Sequence, residues 1–194
     1  MSWPTVLDAC VLVPGGLRDD LLSIAAVDLY LPVWSLEILD EVARTLDGPR
    51  FGLAPDRVAH IVGEMRSAFP RSEVAGWASR LAAVPDAVHP DDRHVVAVAL
   101  ASEARSIVTA NYRDFAADVL AATLGIEVKA PDDFLVDQWT MDPRRAVVGV
   151  QLQIGRLGRA PAEHVAAVAK RLPRYGEVLA RDIALIAEPE GGDA

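Results

Sequence analysis

Short apolar runs alternate with stripes at helical spacing from the start of the chain to about residue 130, and beyond that point only stripes remain. Thr5-Val6-Leu7 predicts a first strand, and Pro14-Gly15-Gly16 a turn into a helix carrying Leu17, Leu21, Leu22 and Ala25. Asp28–Val33 predicts a second strand with Pro32 near its end. Ser35 suits the N-cap of a helix that gathers Leu36, Leu39, Val42, Ala43 and Leu46 on one side, and Asp47-Gly48-Pro49 ends it. Two further helices are expected over 55–69 and 72–84, the second carrying Val74, Trp77 and Leu81. A helix rich in Val and Ala follows over 91–104, its small residues suited to close packing on a sheet. Strand Ser106–Thr109, the loop Asn111–Phe115, helix Ala116–Leu124 capped by Gly125, and strand Ile126–Lys129 complete the alternation. The remainder predicts helices over 132–139, 143–154, 161–171 and 175–187, with Pro143 and Pro161 in first turns.

The alternation predicts the α/β class: a three-layer α/β/α sandwich around a mostly parallel sheet with right-handed crossovers, plus an all-helical C-terminal extension. The expected organisation is an α/β domain over 1–130, a helical extension over 131–188 and a frayed tail over 189–194. The stripes Val147, Val150, Ile154 and Val165, Val168, Leu172 suit packing of the extension. Composition leaves this picture intact: 194 residues with 52% apolar and 24% charged content suit a globular protein with a full core. No apolar stretch is long enough for a membrane span, and Met1-Ser2-Trp3-Pro4 lacks the basic start of a signal peptide, so a cytoplasmic protein without membrane partners is expected. Cys10 is the one cysteine, which excludes an intrachain disulfide and a cysteine-built zinc site, and it is expected to point into packing.

Charge complicates the search for chemistry. The net charge is −9, and residues 1–140 hold 11 Lys/Arg against 21 Asp/Glu. Such a body disfavours loose binding to phosphate backbones. Bound cations that reverse the local sign, a substrate other than nucleic acid, and a basic protein partner all remain open on charge alone.

Acidic residues stand where strands end or helices begin. Asp8 follows the first strand, Asp92 opens the Val/Ala helix, and Asn111 and Asp114 follow the strand Ser106–Thr109. The carboxyl ends of parallel strands are where sites form in open α/β sheets. Carboxylates gathered there repel unless a cation offsets them, and hard oxygen donors with little histidine favour Mg²⁺ or Mn²⁺. That chemistry fits an enzyme acting on phosphate esters. The alternatives are an N-cap role for Asp8, an Asx-turn at Asn111 and Asp114, and a solvated helix charge for Glu41. In the doublet, Asp92 reads as the ligand and Asp91 as the helix cap. Thr109 is placed to hydrogen-bond a neighbouring carboxylate, and Thr109 and Asn111 are polar candidates for contact with a ligand or substrate. Arg44, one turn from Glu41, and Arg93 and Arg113, each beside a site residue, are candidate phosphate contacts. His94 falls about 200° round the helix from Asp92 and reads as non-catalytic, and Trp34 reads as a core aromatic.

Four segments in order, Val6-Leu7-Asp8-Ala9, Trp34-Ser35 with Ile38-Leu39-Asp40-Glu41, Asp91 through Ala99, and Ile107 through Phe115, resemble the PIN-domain ribonucleases, above all the VapC-type toxins of toxin–antitoxin pairs. The likeness covers residues 5–130, and Pro131-Asp132-Asp133-Phe134-Leu135 resembles the start of the C-terminal extension in a longer subgroup. The resemblance implies Asp8, Glu41, Asp92 and Asp114 as the acidic set, with Asp8, Asp92 and Asp114 on Mg²⁺ or Mn²⁺ and Glu41 holding or deprotonating a water. It implies cleavage of RNA to a 5′-phosphate and a 3′-hydroxyl, a cognate antitoxin, and pairing into a homodimer. Many members carry Asp where this chain has Asn111, so one charge is missing at the second metal position. That substitution motivates the competing expectation, a catalytically degenerate PIN-fold binding protein. An aspartyl-phosphate enzyme fits less well, because Cys10 stands where a dehalogenase-like phosphatase needs a second Asp, and no Asp is placed to pair with Lys129 as a receiver domain requires.

Overall fold

The computed structural model describes Ser2–Ala187; the expected frayed tail and the last residue of the expected extension lie outside the described residues. Four strands, β1 (Trp3–Leu7), β2 (Tyr30–Val33), β3 (Ser106–Val108) and β4 (Glu127–Lys129), form one parallel sheet in the order β2-β1-β3-β4. Val6 pairs with Ile107 and Ile107 with Val128, so the two central strands end side by side at Leu7 and Val108. Pro32 is tolerated because β2 is an edge strand, where a missing N–H leaves no ladder bond unmade. The predicted α/β class with a helical C-terminal region is the observed one.

The chain divides into two compact units. One comprises Trp3–Pro14 and Leu31–Lys129. Here α1 (Ala9–Leu12), α3 (Leu36–Asp47), α4 (Pro55–Ala68), α5 (Arg93–Ala101) and α6 (Ala117–Leu124) accompany the sheet. Val95 through Ala99 are all fully buried, and α5 packs on β1 and β3 as its small side chains allow. Each buried Val or Ile adds about 1.5–3 kcal/mol to such a core. Ser35 caps α3, its Oγ accepting from the Ile38 N–H at 3.2 Å, a contribution of about 1 kcal/mol.

The predicted helix over 72–84 is not formed. Ser72–Val74 instead runs beside the end of β2: the Trp34 N–H donates to the Ser72 carbonyl and the Val74 N–H to that of Trp34, at 2.9 and 2.8 Å. Gly76, at φ 73°, then turns the chain into a 3₁₀ helix over Trp77–Ala83. Backbone pairing that spans forty residues overrides the local helical spacing. The helix cap expected at Asp91 also falls elsewhere. Pro90–Asp92 is a single 3₁₀ turn capped by His89, and Asp92 occupies the N-cap position of α5 without a side-chain capping bond.

The other unit comprises Gly15–Tyr30 and the chain from Ala130 onward, so α2 (Gly15–Ala25) groups with the C-terminal helices. These are α7 (Pro131–Met141), α8 (Pro143–Leu157), α9 (Pro161–Ala169), α10 (Pro173–Arg181) and α11 (Ile183–Ala187). The single helix expected over 175–187 is broken at Asp182, whose carboxylate accepts from Trp139 Nε1 at 2.9 Å. Helices approach closely at Gly149, where a Cβ would stand 2.8 Å from the Ser23 carbonyl oxygen, and at Gly176, where it would meet Ala169 Cα at 2.5 Å. Asp132 accepts from the backbone N–H groups of Arg174 and Tyr175, at 3.0 and 2.8 Å, and so caps α10 from α7.

Candidate functional site

β1 hands the chain to α1 at Asp8, which is 5% exposed. Asp8 occupies an N-cap position, but its carboxylate makes no capping bond. Oδ2 accepts instead from the Thr109 hydroxyl at 2.7 Å and from the Cys10 thiol at 3.0 Å. Thr109, fully buried at the end of β3, is fixed in turn: its own N–H donates to Lys129 and its Oγ1 accepts from the Asn111 N–H at 2.9 Å. Adjacent parallel strands thus present one carboxylate and the hydroxyl that aims it. Asp8 Oδ1 has no protein donor among the described residues.

Cys10 does not simply fill the core. It reaches the cleft, with Sγ also accepting from the Ala110 N–H at 3.2 Å. Burial and the neighbouring Asp8 charge push its thiol up to about 12, so it acts as a neutral hydrogen-bond donor rather than a nucleophile.

Asp92 stands at the start of α5 with its side chain 15% exposed. Burial first, then the charges of Asp8 and Asp114, push its carboxyl up to about 6, while His89 and His94 pull it back. Three carboxylates therefore feel one another. Asp114 lies in a 3₁₀ turn over Tyr112–Phe115; its Oδ2 accepts from the Asn111 side-chain amide at 2.6 Å, and its backbone carbonyl ties down the His89 N–H at 2.8 Å.

A cleft of about 1000 Å³ opens over this edge, with Asp8, Glu41, Asp92, His94 and Asn111 on its surface. Arg44, Arg50, Phe51 and Trp77 line it as well. The structure thus gathers Asp8, Glu41, Asp92, Asn111 and Arg44 from the predicted set around one space, with Asp114 set behind Asn111. The other three candidates are placed differently. Thr109 spends its hydroxyl on Asp8 inside the core. Arg93 turns back on the 3₁₀ helix, donating to the carbonyls of Leu81, Val84 and Pro85. Arg113 is exposed and does not line the cleft.

His94, read from the sequence as lying away from Asp92, lines the same cleft, its Nε2 3.5 Å from Glu41 Oε1. The rotation of about 100° per residue holds only within a helix, and Asp92 sits just outside α5. Burial pulls the His94 ring down, but Glu41 and the Asp91 carbonyl outweigh it and its pKa is raised. Arg50, Phe51 and Trp77 carried no local signal, since they reach the cleft from loops and a 3₁₀ helix.

The donor set suits a hard divalent cation: carboxylate oxygens crowded enough to disfavour one another's charge, with no free thiolate and few imidazoles. Among the described residues no three such side chains converge closely enough to be ligands of one ion.

An α/β unit with an acidic cleft at the carboxyl ends of its parallel strands is the class that fold and site define. The PIN domain matches residues 4–113, and the chain belongs to that family. The match contains Asp8, Glu41, Asp92 and His94 and stops one residue short of Asp114. No curated protein and no solved structure matches the chain.

Proposed function

We propose that this protein is a Mg²⁺- or Mn²⁺-dependent endoribonuclease and the toxin of a toxin–antitoxin pair. The observation that carries the reading is the gathering of Asp8, Glu41 and Asp92 around one cleft of a PIN domain, where burial first and then the charges of Asp8 and Asp114 push the Asp92 carboxyl up to about 6. Asp8, Asp92 and Asp114 would hold the cation, which supplies a bound water of lowered pKa and charge stabilisation at the scissile phosphate. Thr109 and Cys10 engage Asp8 Oδ2 and so orient the carboxylate with Oδ1 left for a ligand. Asn111 does the same for Asp114 through Oδ2. Glu41 would take the proton of the attacking water; as the P–O3′ bond breaks, the departing O3′ takes a proton from solvent, leaving a 5′-phosphate and a 3′-hydroxyl. Arg44 and Arg50 on the cleft wall suit the flanking phosphates, and they offset locally a chain whose net charge is −9.

An apolar groove of about 530 Å³ between α3 and α4, lined by Leu36, Leu39, Val58 and Val62, shares Arg44 with the acidic cleft. Leu36 is 53% exposed there. Its apolar, exposed lining beside the cleft suits an apolar segment of a protein partner, which supports the antitoxin half of the reading, or the pairing of two copies. Asn111 favours a second reading, a degenerate PIN protein that binds without cutting, because its amide replaces a charge beside Asp114.

Antitoxin-free protein incubated with end-labelled RNA and single-stranded DNA in Mg²⁺, Mn²⁺ or EDTA, beside Asp8→Asn, separates the two readings. Cuts in RNA that need the metal, end in 5′-phosphates and vanish in the mutant are expected. Folded protein that binds Mn²⁺ and cuts neither strand supports the binding protein instead.

A further inference from the structure

We propose that His94 is a positioning residue that holds Glu41 in place for the reaction, a role that rests on the nuclease reading above. The imidazole is fixed on two sides. Nδ1 lies 2.8 Å from the backbone carbonyl oxygen of Asp91, which only accepts, so Nδ1 carries a hydrogen. The ring meets Trp77 edge-on, with centroids 6.0 Å apart. Nε2 is buried without a hydrogen bond, and the carboxylate in front of it is Glu41, 3.5 Å away. Glu41, for its part, pairs with no other group among the described residues, and its side chain is 32% exposed at the cleft. A glutamate with three rotatable bonds and one pairing partner is oriented by that partner.

Packing against Trp77 accounts for the ring but leaves Nε2 unpaired. Nε2 faces the Glu41 carboxylate at 3.5 Å, longer than a normal hydrogen bond, a separation that catalytic contacts often show before substrate is bound. His94 thereby acts through Glu41 and touches no substrate. The arrangement joins α3 to α5, so the water-activating group is set by the same helix whose N-terminus carries Asp92.

Two measurements on the full chain test this. In ¹⁵N-labelled protein, long-range imidazole spectra of wild type and Glu41→Gln should show the His94 Nε2 resonance moving while Nδ1 stays protonated; an unmoved Nε2 overturns the contact. In Mn²⁺ with end-labelled RNA, His94→Ala should lower kcat about 10–100-fold, the range for a group supporting a catalytic residue. KM and Mn²⁺ affinity should stay within about threefold, because the lost interaction acts on the chemical step. His94→Gln, which restores a donor near Nε2, should recover most of the rate. Equal rates for wild type and both variants overturn the role while leaving the nuclease intact, as does a loss confined to KM. If wild type cuts no strand, the nuclease reading falls together with the catalytic role, and the Nε2 shift still decides whether the pair exists. His94→Gln and the spectra keep the test valid if His94→Ala does not fold.

Discussion

Asp8 and Asp20 are both withdrawn from solvent, at 5% and 1% exposure, one in each unit, and their partners differ in kind. Asp20, on α2, is gripped by the Arg171 guanidinium through Nε and Nη2, both at 2.7 Å, and by the Gln153 amide at 2.8 Å. Burial pushes its carboxyl up and Arg171 pulls it back. Its charge is answered inside the fold. Asp8 receives only the neutral donors Thr109 and Cys10, and its charge adds to the crowding at Asp92. The fold itself offsets a buried carboxylate with a built-in cation; one facing other carboxylates across an open cleft carries a charge the fold leaves without a cation. The contrast separates two otherwise similar residues and supports the role proposed for Asp8.

The largest expected effect breaks the Asp8 half. Asp8→Asn should cost more than about 100-fold in metal-dependent cleavage, exceeding what loss of a supporting partner costs, while the thermal midpoint stays level or rises because a crowded charge is gone. Cleavage of end-labelled RNA beside a melting curve checks both. Arg171→Met breaks the other half. It should cost about 3–5 kcal/mol in urea unfolding by stranding the Asp20 charge, and Asp20→Asn in that background should restore part of the loss. Cleavage per folded molecule should stay unchanged in both variants.

pH sharpens the same comparison. His164 is 1% exposed with neither ring nitrogen paired; burial, then the charges of Arg171 and Arg159, lower its pKa to about 4. A histidine that stays neutral in the fold contributes stability that is present above its ordinary value near 6.5 and lost as pH falls through 4. The loss over that window approaches about 3 kcal/mol. Urea midpoints at intervals of pH should show it, and His164→Leu should flatten that part of the curve. A wild-type curve that stays level from 6.5 to 4 would place His164 in a wetter setting than its burial indicates.

The units also differ in how much of them the sequence disclosed. Asp8 and Asp92 were legible because each adjoins an apolar run that can only be a buried strand or helix, so a charge there needs a purpose. Ser35 was legible through the short-range chemistry of a cap. Periodicity, however, reports the faces of regular elements and nothing about where a long side chain ends. Arg93 adjoins a site residue, yet its guanidinium completes the carbonyls of a 3₁₀ helix about ten residues back. His94 was misplaced because one 3₁₀ turn separates Asp92 from the helical count. Ser72–Val74 was read as helix because its strand-like partner, Trp34, lies far away in the chain. The Asp20–Arg171 pair spans 151 residues, and no local pattern announces it.

The smallest effect concerns the hydroxyl that distinguishes Asp8 from an ordinary buried acid. Thr109→Val keeps the shape and branching of the side chain at the end of β3 but removes the donor 2.7 Å from Asp8 Oδ2. It also strands the Asn111 N–H, which donates to Thr109 Oγ1 at 2.9 Å, so both the carboxylate and the following loop lose their anchor. Cys10 still donates to Oδ2, and the Asp8 N–H still donates to the Val108 carbonyl at 3.1 Å, so the carboxylate is loosened rather than lost. Mn²⁺ affinity measured by calorimetry should therefore fall about 10–100-fold, the range for partners that orient a ligand, with cleavage recovering as Mn²⁺ is raised. Thr109→Ser, which retains the donor, should bind Mn²⁺ nearly as wild type does. If Thr109→Val binds Mn²⁺ as tightly as wild type, the hydroxyl merely satisfies a buried carboxylate, and Asp8 would then resemble Asp20 more closely than their partners indicate.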